Sequence, residues 1–138
     1  MASVDVYTDG SVLNNGKNGS SGGIGVYFGH GHPLNTSQRI KGTTTNNRAE
    51  LLAIIKALIL ISDHFPNRKV NLRTDSLLSI NVVEKKWKAK MNLDLVSIAQ
   101  DLLADLPLVS LHHVRSHTGL SDPHSLGNHE ADRLANQI

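Results

Sequence analysis

Four acidic residues, Asp9, Glu50, Asp75 and Asp132, stand where the local pattern of the chain changes. Asp9 and Asp75 each end a run rich in β-branched residues, and each is followed by a polar turn. Glu50 lies near the start of a long apolar helical pattern, and Asp132 lies in the last one. Taken alone, an Asp-Gly step such as Asp9-Gly10 is most simply a turn. The set is more informative. If the strands that end at Asp9 and Asp75 are neighbours, their carboxylates emerge side by side, with Glu50 and Asp132 delivered by helices packed on the sheet. Four carboxylates in one cleft repel one another unless divalent cations neutralise them. Such a cluster can hold two magnesium ions, an arrangement that clamps the attacking and leaving oxygens of an in-line phosphoryl displacement. The chemistry implied is phosphodiester hydrolysis.

The elements that must position these groups read as follows. Residues 4–9 form a strand, with Val4, Val6 and Thr8 on one face and Asp5, Tyr7 and Asp9 on the other, ending soon after Asp9. A Gly/Asn/Ser-rich connection covers 13–23. Strands follow at 24–28 and, more weakly, at 34–41. The segment 48–64 has strong helical propensity and is apolar around much of its circumference, as suits a buried helix with Glu50 in its first turn. A strand at 69–74 ends at Thr74-Asp75-Ser76. Next comes a helix from about Leu77 that carries Ile80, Val83 and Trp87, with a basic run over 85–90. A helix over 93–106, a strand over 108–114, a loop over 115–127 and a last helix over about 128–137 complete the chain. The expected architecture is one α/β domain spanning 1–138. Its five-stranded mixed sheet, three antiparallel strands and then parallel ones, is flanked by helices in the order βββαβααβα.

The totals set limits. The 138 residues include no cysteine, which removes disulfide partners and thiolate metal sites. Carboxylates suit hard ions such as magnesium or manganese. A formal charge of +2 permits a polyanionic partner without demanding one. The longest apolar run, 51–61, is interrupted by Lys56 and too short to span a membrane. No secretory signal opens the sequence, so an intracellular setting, cytoplasm or nucleus, is expected.

Five segments resemble type 1 ribonuclease H. They are Tyr7-Thr8-Asp9-Gly10-Ser11, Thr45-Asn46-Asn47-Arg48-Ala49-Glu50-Leu51, Thr74-Asp75-Ser76, Val114-Arg115-Ser116-His117-Thr118-Gly119 and Gly127-Asn128-His129-Glu130-Ala131-Asp132-Arg133-Leu134-Ala135. They occur in the family's order and span nearly the whole chain. The resemblance implies the ribonuclease H-like fold and cleavage of the RNA strand of RNA–DNA hybrids, leaving 5′-phosphate and 3′-hydroxyl ends. It further implies two Mg2+ ions, replaceable by Mn2+. Asp9 would bridge both ions, Glu50 and Asp75 would complete one site, and Asp132 would help bind the ion that activates water. His117 matches a loop histidine that assists proton movement or product release.

Discrimination of RNA requires contacts to 2′-hydroxyls. Asn14, Asn15, Asn46, Asn47 and Ser76 are candidates for the hybrid's minor groove, and Gly10 and Ser11 are candidates for contact with the hybrid. Thr43, Thr45 and the basic helix around Trp87 and Lys88 are candidates for the DNA strand. For the asparagines, turn and capping chemistry is an equally available role.

The sequence departs from cellular relatives in three places. There is no room for a basic, helix-bearing handle after Ser76, although the run 85–90 stands where it could partly replace one or simply be solvated. The interval from His117 to Asp132 has retroviral length, which predicts a long loop over 120–126. Thr43 occupies a position that is basic in some relatives. The expected state is a monomer, unless the segment belongs to a reverse transcriptase polyprotein. Two other readings stay open: a hybrid-binding domain without turnover, and an integrase- or resolvase-like nuclease on the same scaffold.

Overall fold

Strand β1, Val4–Leu13, is the axis of the molecule. The computed structural model describes residues 3–13, 21–116 and 118–137. On one side β1 pairs antiparallel with β2, Ser21–Tyr27, which pairs antiparallel with β3, Thr36–Ile40. On the other side it pairs in parallel with β4, Val70–Thr74, which pairs in parallel with β5, Val109–His113. Among the described residues this is one sheet of five strands, ordered β3-β2-β1-β4-β5. The mixed sheet and the order βββαβααβα agree with the sequence.

Register decides where chemistry can occur. Thr8 lies opposite Thr74 in the parallel pair, so Asp9 and Asp75 leave the same sheet edge one residue later. Strand β4 alternates buried Val70, Leu72 and Thr74 with half-buried Asn71 and Arg73. This is the period of a strand with one apolar face.

Helix α1, Asn46–His64, covers one face of the sheet. Its Leu51, Ile54, Leu58 and Ile61 meet Val6, Val26 and Leu72 in the principal core. Each fully buried aliphatic side chain of this kind contributes roughly 1.5–3 kcal/mol. Helix α2, Leu77–Val83, and helix α3, Leu93–Ala104, extend that layer. Helix α4, Pro123–Ala135, packs on the opposite face against β2 and β1. Among the described residues no helix is long and apolar enough to cross a membrane.

Several boundaries differ from the sequence reading. β1 runs on to Leu13, because its antiparallel partner β2 begins at Ser21 and continues the ladder after β4 has ended. α1 begins at Asn46 behind the Thr45 cap, so Glu50 lies in the second turn and not the first. α2 stops at Val83, and the basic run is not helical: Lys85 adopts a left-handed backbone with φ 64°. The amides of Lys86 and Trp87 then turn back onto the carbonyl of Asn81. That segment offers too few apolar positions at helical spacing to extend the buried stripe. α4 starts at Pro123 rather than near Asn128. Asp122 accepts from the Ser125 amide and Pro123 occupies the first turn, a start signal that outweighs the helix-poor residues after it. The loop expected over 120–126 is correspondingly short.

Two glycines let the helices approach the sheet. A side chain at Gly10 would overlap the backbone of Ala49 and Glu50, and one at Gly25 would overlap the carbonyl oxygen of Ala131. Gly25→Ala should therefore push α4 off β2. We expect a loss of about 3 kcal/mol in urea unfolding, at the upper end for overpacking, with a wild-type far-ultraviolet spectrum before the transition.

Candidate active site

The site forms where the parallel pairing of β1 with β4 ends. Asp9, Glu50 and Asp75 each present a carboxylate oxygen, and these atoms lie within 4.8 Å of one another. Asp9 is buried at 5% exposure, while Glu50 and Asp75 are half-buried at the rim. Each position has a local cause. Asp9 and Asp75 are set by the parallel register. Glu50 is set by the contact of α1 with Gly10, whose amide donates to Glu50 Oε1 at 2.5 Å.

Asp132 approaches from the other face. α4 rides on Gly25, and Ser37 Oγ donates to the Leu134 carbonyl at 2.6 Å, which fixes its C-terminal half. Asp132 lies near enough to Asp9 to raise its carboxyl, but falls outside the group of three whose oxygens lie within 4.8 Å of one another. A cavity of about 240 Å³ beside Asp132 is walled by Thr118, Gly119, Ser125, Asn128 and His129. Thr118 is anchored there by a bond from its hydroxyl to Ser125 Oγ at 2.8 Å, and Ser125 in turn donates to Asp122.

The electrostatics follow from this crowding. Burial, then the charge of Asp75, then the contact with Asp132 push Asp9 up to about 8. Burial, then the charge of Asp9, then hydrogen bonding to Asp75 push Glu50 up to about 11. Without a counter-charge the cluster holds protons at neutral pH that ordinary carboxyls release near pH 4. An all-oxygen donor set, clustered and partly desolvated, fits a hard divalent cation such as magnesium or manganese.

The remaining candidate residues divide. Thr45 caps α1, accepting from the Arg48 amide, and Ser76 caps α2, accepting from the Ser79 amide at 3.2 Å. Both therefore have structural work independent of any ligand. Asn46, Asn47 and Thr43 are exposed beside the α1 N-terminus. Asn47, Trp87 and Lys88 come together on a largely apolar groove of about 370 Å³, floored by Leu51, Leu78 and Val96. That groove is braced by Arg48, which reaches Asp94 through both guanidinium nitrogens, at 2.8 and 3.1 Å, and Asn92 at 3.4 Å. Gly10 and Ser11 continue β1 beyond Asp9. Asn14, Asn15 and His117 lie outside the described residues. The sequence reading omits two contributors. Gly25 is signalled only by the glycine spacing of 22–25, and Asn136 only by its place four residues after Asp132 on a helix.

A family model for RNase H matches residues 1–138. The chain is 36% identical to human Ribonuclease H1 over 97% of its own length and 49% of that protein. It is 41% identical to Ribonuclease H of Schizosaccharomyces pombe, over 94% of this chain and 50% of the relative. The chain thus spans about half the length of these curated relatives. Among solved structures, RNase H1 of Halobacterium salinarum superposes with a TM-score of 0.73 at 28% identity, covering 99% of this chain and 96% of that one.

The raised carboxyls predict a specific pH dependence. In the unfolded chain both groups lose their protons near pH 4. Folded, Asp9 keeps its proton to about 8 and Glu50 to about 11. The folded state thus binds more protons across this window, and the stability they contribute is complete below about pH 4 and lost as pH rises through those values. In chelator, thermal midpoints should fall between pH 5 and pH 8. Asp9→Asn should flatten the fall, and manganese should raise the midpoint more at pH 8 than at pH 5.

Proposed function

Because the chain belongs to the ribonuclease H family, type 1, we propose that it hydrolyses the RNA strand of RNA–DNA hybrids. In this reading Asp9, Glu50, Asp75 and Asp132 hold two Mg2+ ions, with Mn2+ as a substitute. Cleavage breaks the bond between phosphorus and the 3′ oxygen, leaving a 3′-hydroxyl and a 5′-phosphate. The observation that carries the proposal is the convergence of three carboxylate oxygens, from Asp9, Glu50 and Asp75, within 4.8 Å at the sheet edge.

When bound, the divalent cations supply water activation and neutralisation of charge on the phosphoryl group. The protein's share is arrangement. Asp9 gives the site its deepest oxygens. Glu50 is held by the Gly10 amide, which prevents its carboxylate from swinging into solvent. Asp75 and Asp132 close the site from neighbouring elements. His117 is assigned by resemblance to proton movement or product release.

For the substrate, the exposed asparagines at the α1 N-terminus offer donors and acceptors to 2′-hydroxyls. The groove of Trp87 and Lys88 offers an aromatic face and a cation to the DNA strand. Phosphate contacts from the run 85–90 make binding weaken with salt. We further propose that the segment acts as one domain. A non-catalytic hybrid binder is the poorer reading, because all four carboxylates are present.

A labelled RNA–DNA hybrid with magnesium tests this directly. Cleavage should occur in the RNA strand only. Asp9→Asn should reduce kcat by roughly 10³-fold, about 4 kcal/mol of transition-state stabilisation, while still binding the hybrid. Cleavage of all-DNA duplexes, or full activity of Asp9→Asn, contradicts the assignment. Trp87→Ala should raise KM severalfold and leave kcat nearly unchanged.

A further inference from the structure

Asp132 is the one acidic residue of the four carried near the C-terminal end of a helix, and it does not stand alone there. Asn136 lies one turn further on. Its Nδ2 donates to Asp132 Oδ1 at 3.2 Å and to the Asp132 backbone carbonyl at 2.8 Å. Its own Oδ1 accepts from Ser11 Oγ at 2.5 Å. Ser11 is on β1, two residues after Asp9. The chain Ser11–Asn136–Asp132 therefore ties the carboxylate on α4 to the strand that carries the buried carboxylate.

We infer that Asn136 is a positioning residue that orients the Asp132 carboxylate for a divalent cation. The inference rests on the cation-site reading given above. Two features support it chemically. First, Asn136 uses both halves of its amide, donor toward Asp132 and acceptor toward Ser11, so its side chain is fixed from both ends. Second, the amide is neutral. It engages one oxygen of Asp132 while leaving the negative charge that a cation requires, whereas a lysine in its place would add a competing positive charge. Partners behind a metal ligand typically change affinity by about 10–100-fold when removed.

Calorimetric titration of the folded chain with Mn2+ alone tests this without relying on turnover. Asn136→Ala should raise the Mn2+ dissociation constant about tenfold, and the magnesium needed for half-maximal hydrolysis should rise in proportion, with the hybrid KM unchanged. Asn136→Gln, which keeps the amide, should recover most of the affinity, as a helix cap alone would not require. Ser11→Ala should weaken Mn2+ binding to a smaller extent, and its effect should vanish in the Asn136→Ala background, because the two residues act as one chain. It also serves if Asn136→Ala proves poorly folded by circular dichroism. Wild-type Mn2+ affinity in both alanine variants, or additive losses, overturns the proposal. Asp132→Asn separates the two levels. If it leaves Mn2+ affinity intact, the part of Asp132 in the cation site fails, and the positioning role with it. If it weakens binding while Asn136→Ala does not, only the positioning role fails.

Discussion

Like charges held at close quarters are the constraint around which this protein is arranged. Asp9, Glu50 and Asp75 offer oxygens within 4.8 Å of one another, and Asp9 is almost wholly buried. Left to themselves these groups would separate or stay protonated. They are held by forces that have nothing to do with their charge. The parallel ladder between β1 and β4 fixes Asp9 beside Asp75, and the burial of Ile54, Leu58 and Ile61 fixes α1 against the sheet. The core therefore compels a meeting that electrostatics alone opposes, and a divalent cation is the natural way to relieve it.

The glycines show how closely the two layers must approach. Gly10 admits the backbone of Ala49 and Glu50, and Gly25 admits α4 at Ala131, next to Asp132. Both helices descend on β1 beside Asp9 from opposite faces. Site geometry is thus a consequence of helix-to-sheet spacing, and a bulkier residue at either glycine would move a ligand. The same logic extends outward through Arg48, whose pairing with Asp94 braces the groove of Trp87 against the first turn of α1.

Much of this was legible in the residues. Strand alternation and the apolar length of α1 pointed to the mixed sheet, and the paired endings Thr8-Asp9 and Thr74-Asp75 pointed to a shared edge. The failures have physical causes. Gly10 and Ser11 look like a turn, yet they extend β1, because an antiparallel partner outlasts the parallel one. Trp87 looked helical by spacing, but the lysines around it give a helix nothing to bury, and the chain leaves helical geometry at Lys85. Asp122-Pro123 starts α4 early through capping chemistry rather than hydrophobic pattern. The link from Asn136 to Ser11 depends on how far α4 sits from β1, a tertiary distance that no local pattern encodes.

If the cluster is protonated when empty and ionised when filled, cation binding must expel protons. Calorimetry of Mn2+ binding at pH 7 in buffers of different ionisation enthalpy measures that number directly. Net release should approach one proton or more per molecule and be greatly reduced in Asp9→Asn. Binding that releases none, or no binding at all, would contradict it.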